Sequence, residues 1–193
     1  MAAAAVTRVY LGLGSNLGDR LDHLRRGLFA LAGDPGLHLH SVSRVYESEF
    51  VGDGAQPDFL NLCAGVDTDL TPEALLSICQ GIEAGRGRPA DGHMKPRPLD
   101  IDLLLWGDQV VSRPGLEIPH PRASERAFVL EPLAEIGKSA FFPTSGETIG
   151  EACAKIRRKS GPWVRRREDL VVAGHQHAVN KEDWRAALAV HCR

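Results

Sequence analysis

An apolar run near the middle of the chain, LDIDLLLW over residues 99–106, has two carboxylates set into it. Its leucines and Ile101 predict a buried strand. Because residues i and i+2 of a strand point to the same side, Asp100 and Asp102 share one face while Ile101 faces the core. Two carboxylates on one face repel each other and resist ionisation unless a positive group lies between them. The segment therefore predicts a strand of a sheet that is apolar on one face and carries two carboxylates on the other.

Magnesium fits such a carboxylate pair. It prefers oxygen ligands, keeps several waters and is usually held by one or two carboxylates together with substrate phosphates, and two ions can share one pair. The alternative is an ordinary half-exposed strand, which is the commoner meaning of an isolated D-x-D pattern. The preceding loop favours the metal site, because guanidinium groups beside a carboxylate-bound metal form a clamp for a triphosphate. The basic residues of that loop are Arg86, Arg88, Lys95 and Arg97.

Length and charge restrict the classes of protein to which the chain can belong. Its 193 residues suffice for one domain, or for one domain and an extension. The net charge of -2 gives no general reason to expect a nucleic-acid partner. One segment, KIRRKSGPWVRRR at 155–167, carries seven basic residues and no acidic one. It is interpreted either as a solvated helix face or as a surface for nucleic acid or an acidic partner.

The beginning of the sequence and its cysteines predict a cytoplasmic location. The segment MAAAAVTRVYLGLG lacks the charged n-region and long apolar core of a signal peptide. No run approaches the roughly 18 apolar residues that a membrane span needs. The four cysteines are scattered without a C-x-x-C pattern, so we expect reduced thiols rather than a disulfide framework or a zinc site.

Apolar periodicity and turn residues predict an α+β fold. The predicted elements are, in order, a strand over 6–13, a helix that is capped by Asn16 or Asp19 and ends near 32, a strand over 37–48, a strand over 59–69, a helix opened by Thr71 and Pro72, the strand of the two aspartates, a short return strand at 110–111, and helices from about 122 and over 147–159. The first six elements are typical of a ferredoxin-like split βαβ arrangement, an antiparallel sheet with helices packed on one face.

Five segments together resemble one known family. They are LGSNLGD (13–19), QPDFLN (56–61), IEAGRGR (82–88), PRPLDIDLLL (96–105) and IPHPRASERAFVLEPLAEI (118–136). In this order they are similar to the 6-hydroxymethyl-7,8-dihydropterin pyrophosphokinases of folate biosynthesis. The resemblance covers about residues 6–160. It implies a pterin pyrophosphokinase domain over 1–164, followed by a C-terminal extension of unknown role over 165–193.

The resemblance implies a reaction and its partners. The expected enzyme is a diphosphotransferase that moves the β,γ-diphosphate of ATP to the hydroxymethyl oxygen of the pterin and releases AMP. Two Mg²⁺ ions would bind with ATP at Asp100 and Asp102. We expect a monomer that binds ATP and 6-hydroxymethyl-7,8-dihydropterin, with no membrane and no nucleic-acid partner.

The resemblance also assigns site residues, position by position. Phe59 and Phe128 would sandwich the pterin ring, with Asn61 at its polar edge. The remaining pterin-binding residues would be Gly14, Ser48 and Val51. The ATP-binding residues would be Glu83, Arg86, Arg88, Arg97, His120 and Arg126. Of these, Arg88 and Arg97 would be the catalytic arginines that neutralise charge during transfer; Arg86 competes with Arg88 because the spacing after Glu83 can be aligned two ways.

Two other functions are compatible with an α+β fold of this kind, an RNA-recognition domain and a phosphohydrolase. An RNA-recognition domain of ferredoxin-like fold would need aromatic residues in a K/R-G-F/Y-G/A-F-V-x-F/Y pattern, which the sequence lacks. A metal-dependent phosphohydrolase could use the same aspartates.

Glu49 stands where the family often has proline. The loops 47–57 and 85–98 flank the expected site, and we expect them to close over the substrates and exclude water.

Overall fold

Strands and helices alternate along the chain as the apolar pattern predicts. The computed structural model describes residues 5–52, 54–88, 95–159, 161–172 and 188. The strands are β1 (Thr7–Ser15), β2 (Leu37–Val42), β3 (Tyr46–Ser48), β4 (Phe59–Thr68), β5 (Asp100–Trp106), β6 (Val111–Arg113), β7 (Leu116–Ile118) and β8 (Val164–Arg166). The helices are α1 (Arg20–Gly33), α2 (Pro72–Gly85), α3 (Ala127–Gly137) and α4 (Ile149–Ile156).

The central sheet is antiparallel, with the strand order β5-β1-β4-β3-β8, and β2 also pairs with β4. The single strand predicted over 37–48 is two strands, because the chain leaves the ladder after Val42 and rejoins β4 at Tyr46. The predicted return strand after Trp106 does not pair with β5 beyond an isolated bridge to Gln109. Residues 111–113 instead pair with β7 in a separate two-stranded sheet.

Side-chain caps fix where the first two helices begin. Asp19 accepts a hydrogen bond from the backbone N of Asp22 (3.0 Å), which settles the choice between the two predicted caps of α1. Asn16 has another role, because its Oδ1 accepts a hydrogen bond from the backbone N of Arg97 (2.7 Å) and so ties the basic loop to the end of β1. Thr71 caps α2 as predicted.

Helices cover both faces of the sheet, whereas the sequence predicted one covered face. Leucines of α1 and α2 pack with the β1 side chains Leu11 and Leu13 in one core. On the other face, α3 and α4 cover Tyr10 and Leu104, which would otherwise be exposed to water. The α+β class and the antiparallel sheet are confirmed, and the later helices form a third layer.

The later part of the chain differs from the prediction in one helix and leaves the predicted domain boundary untested. The helix expected from about residue 122 is a 3₁₀ turn, Ala123–Glu125, followed by α3, because Arg126 between them is extended (φ -113°, ψ 115°). Strand β8 crosses the boundary predicted between residues 164 and 165, so the division into domain and extension stays a prediction. Leu188 is helical and buried in the α1 and α2 core; the other residues after 172 lie outside the described part of the chain.

None of the described helices is long and apolar enough to cross a membrane.

Candidate functional site

The strand register lines up the predicted site residues across the sheet. Gly14 of β1 lies opposite Asp100 of β5 on one side and Asn61 of β4 on the other. Gly12 lies in the same way opposite Asp102. Residues that face each other across a ladder point to the same side of the sheet, and two strand spacings separate Asp100 from Asn61 by about 10 Å. The glycines have no side chain, so the sheet surface between carboxylate and amide stays open.

This open surface is the floor of a cleft of about 190 Å³ at the N-terminal end of α3. All but two of the residues that the sequence assigned to the site line it. They are Gly14, Ser48, Val51, Phe59, Asn61, Arg88, Arg97, Asp100, Asp102, His120, Arg126 and Phe128. The exceptions are Glu83 and Arg86. The cleft therefore gathers residues from β1, β3, β4, β5 and the turn before α3.

One half of the cleft is aromatic with a polar edge. Phe59 stacks on Phe50, with ring centroids 6.4 Å apart, and Phe128 forms another part of the wall. Asn61 Nδ2 donates to Ser48 Oγ (3.0 Å), which orients the amide within the cleft. Aromatic faces beside an amide suit a flat heterocycle whose edge carries hydrogen-bonding groups.

The other half of the cleft is an arginine and carboxylate cluster. Arg97 Nη1 donates to Asp100 Oδ2 (3.1 Å), and Arg88 Nη1 donates to both Asp100 and Glu83. Glu83 is only 7% exposed and also accepts from the backbone N of Ile101 (2.6 Å). Burial raises the pKa of Glu83 against the opposing effect of these hydrogen bonds. Glu83 thus lies behind Arg88 and holds it on β5, rather than lining the cleft.

Arg86, the other candidate, points away from the cleft. Its Nη2 lies 3.3 Å from Asp22 Oδ2, and its Nε donates to His23 Nδ1 (3.2 Å), both on α1. The two arginines are separated by one residue, Gly87, which has a positive φ of 86°. A left-handed glycine turns the chain at this point, so that Arg86 reaches α1 and Arg88 reaches β5.

The surroundings of Asp102 favour a cation beside its carboxylate. Burial, together with repulsion from Asp100, raises the pKa of Asp102 to about 7, against the attraction of Arg126 and Arg97. Within the described ranges, no group of three or more His, Cys, Asp or Glu side chains is placed to hold a metal ion. A metal on the aspartate pair would therefore need waters or substrate oxygens as its other ligands, which matches the chemistry of Mg²⁺.

The raised pKa predicts how stability depends on pH in metal-free protein. An unfolded Asp titrates near 4, so between about pH 4 and pH 7 the folded state binds more protons than the unfolded state. The free energy of unfolding therefore decreases as the pH rises through this window. The loss of stability caused by ionised Asp102 reaches its full size above about pH 7. Asp102→Asn removes the charge and keeps the shape. We expect it to raise the Tm in EDTA by about 3–6 °C at pH 8 and much less at pH 5.

Asp67→Asn is the matched control for that experiment. Asp67 is also a strand aspartate, but Arg8 donates to both of its carboxylate oxygens (2.9 and 3.1 Å). Burial raises its pKa, and the hydrogen bond and charge of Arg8 outweigh this and lower it. Its replacement should therefore lower the Tm at pH 8. A fall in Tm for both variants at pH 8 would contradict the assignment of Asp102.

Among the other residues that line the cleft are Phe50 and Arg122, to which the sequence argument gave no role. Arg122 brings the number of guanidinium groups on the wall to four, so the cleft favours an anionic ligand. Arg122 lies in the HPRASER segment, one of the segments that resemble the family. Its positive charge within that segment could have indicated a contact with an anionic substrate. Arg122 and Arg126 also lower the pKa of His120, after burial as the main cause.

A second cavity of about 370 Å³ adjoins the first at Asp102 and His120. Its wall includes the apolar side chains Leu76, Ile101 and Leu116, and Arg113 lies at its rim. The two cavities place an aromatic compartment and a mixed apolar compartment on either side of the charged cluster. A reaction between two bound molecules fits this arrangement.

Comparison with known proteins finds similarity to one family. Residues 10–138 match the family model of 7,8-dihydro-6-hydroxymethylpterin-pyrophosphokinase. A 2-amino-4-hydroxy-6-hydroxymethyldihydropteridine pyrophosphokinase of Methylorubrum extorquens is 44% identical over 151 residues, which cover 78% of this chain and 94% of the relative. One of Pseudomonas aeruginosa is 41% identical over 138 residues, covering 72% and 85% of the two chains.

Solved structures show the same fold. A Plasmodium falciparum HPPK-DHPS structure with pterin and p-hydroxybenzoate superposes with a TM-score of 0.64 at 15% sequence identity. The match covers 80% of this chain and 44% of that one, so this chain spans less than half the length of the solved protein.

Proposed function

The chain belongs to the 7,8-dihydro-6-hydroxymethylpterin pyrophosphokinase family, and we propose that the cleft on β1, β4 and β5 is where it carries out that family's reaction. The chain is a diphosphotransferase of folate biosynthesis. Its substrates are ATP and 6-hydroxymethyl-7,8-dihydropterin. The observation that carries the assignment is that one cleft has an aromatic half edged by an amide and, beside it, a half formed by aspartates and arginines.

The reaction requires positioning and charge neutralisation more than covalent help from the protein. The hydroxymethyl oxygen of the pterin attacks the β-phosphorus of ATP and loses its proton. The bond from that phosphorus to the oxygen bridging it to the α-phosphorus breaks, and AMP leaves with the bond's electron pair. Both substrates must therefore be held with the hydroxyl in line with that bond, in a cleft with fixed positive charge.

The aromatic half is the proposed pterin site. Phe59 and Phe128 hold the faces of the ring, and Asn61, oriented by Ser48, hydrogen-bonds its polar edge. Gly14 forms the floor, and Val51 forms part of the wall.

The charged half is the proposed site of the ATP phosphates. Asp100 and Asp102 would hold Mg²⁺, and we propose two ions because both carboxylates reach the cleft and the diphosphate carries several charges. When bound, Mg²⁺ would neutralise phosphate charge. Arg88 and Arg97 neutralise the charge that develops during transfer, while His120 and Arg126 contact the nucleotide. The adenine base of ATP would occupy the second cavity.

Two predicted ATP contacts receive different roles in this proposal. Glu83 acts through Arg88, which it holds against β5. Arg86 fixes the base of the loop to α1 and does not touch the nucleotide. Residues 89–94 of the loop lie outside the described residues, and its closure over the substrates stays a prediction.

Gly14→Ala is expected to weaken pterin binding selectively. The added methyl would lie 3.3 Å from Asn61 Oδ1 and 3.4 Å from Phe59 Cδ1, on the floor of the cleft. An overpacking cost of about 1–2 kcal/mol corresponds to a roughly tenfold higher KM for the pterin. The KM for ATP should change less than about twofold, because the phosphate site is not obstructed. Steady-state kinetics with each substrate varied in turn measures both; an equal rise in both KM values would contradict the assignment.

Product analysis tests the proposed reaction. The protein is incubated with ATP, Mg²⁺ and the pterin, and AMP, ADP and the pterin product are resolved by chromatography. One AMP per diphosphorylated pterin is the expected result. ADP and phosphate formed without pterin would instead identify a phosphohydrolase, the rival that uses the same aspartates.

A nucleic-acid function receives no support from the basic segment 155–167. Most of its basic side chains are paired with carboxylates: Lys155 with Glu147, Arg157 with Glu131, Arg165 and Arg167 with Glu47, and Arg166 with Glu135 and Glu168. These ion pairs are intramolecular, so neighbouring carboxylates balance most of the positive charge of the segment. A monomeric state and a cytoplasmic location remain our proposals. The second rests on Cys63, Cys79 and Cys153, which are buried free thiols.

A further inference from the structure

The segment between β3 and β4 carries much of the proposed pterin site, and one arginine joins its two ends. Glu47 lies in β3, just before the segment, and Asp58 is its last residue before Phe59 of β4. Arg20 of α1 donates from Nη2 to Glu47 Oε1 (2.9 Å) and from Nη1 to the carbonyl oxygen of Asp58 (2.8 Å). Arg20 therefore ties the two ends of the segment together, in addition to the backbone pairing of Ser48 with Phe59.

Glu47 is the hub of this arrangement. It is 7% exposed and accepts hydrogen bonds from three guanidinium groups: from Arg20, from Arg165 (3.0 Å) and from Arg167 (2.7 Å). Burial raises the pKa of Glu47, but the hydrogen bonds from the three arginines outweigh burial and lower it. Glu47 is thus a buried, ionised carboxylate, and removal of its partners would be costly.

Two of these partners come from a strap at the far end of the chain, residues 163–167. Strand β8 within the strap pairs with β3, so that Val164 lies opposite Ser48. At the start of the strap, the backbone N of Trp163 donates to Glu49 Oε1 (3.0 Å). Because β3 is only three residues long, the strap converts a short edge strand into one that is paired on both sides.

We propose that the strap, residues 163–167, positions residues 48–51 for the pterin, and that Glu47, Arg165 and Arg167 are positioning residues of the pterin site. This inference rests on the proposed function of the cleft. Ser48, Glu49 and Val51 line the pterin half and are neighbours of the strap's contacts. The phosphate half lies on β5, at the opposite edge of the sheet from β8. The strap should therefore affect the pterin and not the nucleotide.

The double variant Arg165→Ala/Arg167→Ala tests the proposal in the full chain. The double variant removes two of the three guanidinium groups that bind Glu47. Residues 48–51 would then be less ordered in the free protein, and part of the pterin's binding energy would be spent on ordering them. We therefore expect pterin affinity to fall about tenfold. The affinity for ATP should change by less than about twofold. Pterin fluorescence, titrated in the presence of Mg²⁺ and α,β-methylene-ATP, gives the first constant, and a nucleotide titration gives the second.

Two further variants separate positioning from general stability. Arg8→Ala removes an interstrand ion pair at the other end of the sheet, and should leave pterin affinity unchanged even where the Tm falls. Arg165→Lys/Arg167→Lys keeps the charges. Each arginine meets Glu47 through one nitrogen only, so lysine should recover pterin affinity to within about threefold.

The possible outcomes separate this inference from the proposed function. If the wild-type protein forms AMP and the alanine double variant binds the pterin with unchanged affinity, the positioning role of the strap is contradicted. The proposed function is not affected by that result. An equal loss of pterin and ATP affinity would also contradict the positioning role. A wild-type protein that binds no pterin would overturn both. A selective loss of pterin affinity that lysine restores is the result we expect.

Discussion

Asp102→Asn is expected to lower kcat for diphosphate transfer by a factor of about 10³ or more. The substitution keeps the shape of the side chain but removes one of the two carboxylates that would hold Mg²⁺ over the phosphates. Asp100→Asn should have a comparable effect. Because Asp102→Asn is also predicted to stabilise the metal-free protein, a loss of activity with an unchanged or higher Tm cannot be attributed to unfolding.

The measurement is AMP release at saturating Mg²⁺, with Mg²⁺ binding followed separately by the Tm shift that the ion produces with α,β-methylene-ATP present. Both the activity and the Mg²⁺-dependent shift should be lost in the two variants. Asp67→Asn, in the Arg8 ion pair, is the control and should retain nearly full activity below its Tm. An Asp102→Asn protein that keeps more than about a tenth of wild-type kcat would remove Asp102 from the metal site.

Arg88→Ala is expected to lower kcat by a factor of about 10²–10³, whereas Arg86→Ala should change it less than about threefold. The two arginines are separated only by Gly87, and the sequence assigned the catalytic role to Arg88 with Arg86 as the competing candidate. In the structure, Arg88 lines the cleft and contacts Asp100, while Arg86 contacts Asp22 and His23 of α1. Of these two arginines, Arg88 is therefore the one placed to neutralise charge on a diphosphate in the cleft.

Initial rates at saturating substrates, with the Tm of each variant, test this pair. Arg88→Ala also leaves the buried Glu83 with one partner fewer, so some loss of stability accompanies the loss of rate. Arg88→Lys should recover only part of the rate, because an ammonium group keeps the charge but cannot bind two phosphate oxygens in the bidentate way that a guanidinium group can. If Arg86→Ala were the slower enzyme, the roles assigned to the two residues would be reversed.

The local parts of the fold could be predicted from the sequence because they depend on local chemistry. Thr71 and Pro72 open α2, and Asp100 and Asp102 share a face of β5 because a strand repeats every two residues. The meeting of Asp100, Gly14 and Asn61 in one row depends on strand register. The resemblance implied that these residues share a site, and the structure places them together.

The features that the sequence could not predict are long-range contacts. The opposite directions of Arg86 and Arg88 depend on a left-handed Gly87 and on where α1 lies. The pairing of β8 with β3 brings Arg165 next to Glu47, 118 residues away in the sequence. No periodicity within either segment carries that information, because the partner of a short edge strand is chosen by tertiary packing.

A crystal structure of the protein with Mg²⁺, α,β-methylene-ATP and 6-hydroxymethyl-7,8-dihydropterin tests the central claim most directly. We predict the pterin ring between Phe59 and Phe128, with its polar edge at Asn61 and its hydroxymethyl oxygen facing the β-phosphorus. Metal density should contact carboxylate oxygens of both Asp100 and Asp102, and the number of peaks gives the number of ions. A pterin bound outside this cleft, or a nucleotide whose metal contacts neither aspartate, would contradict the account.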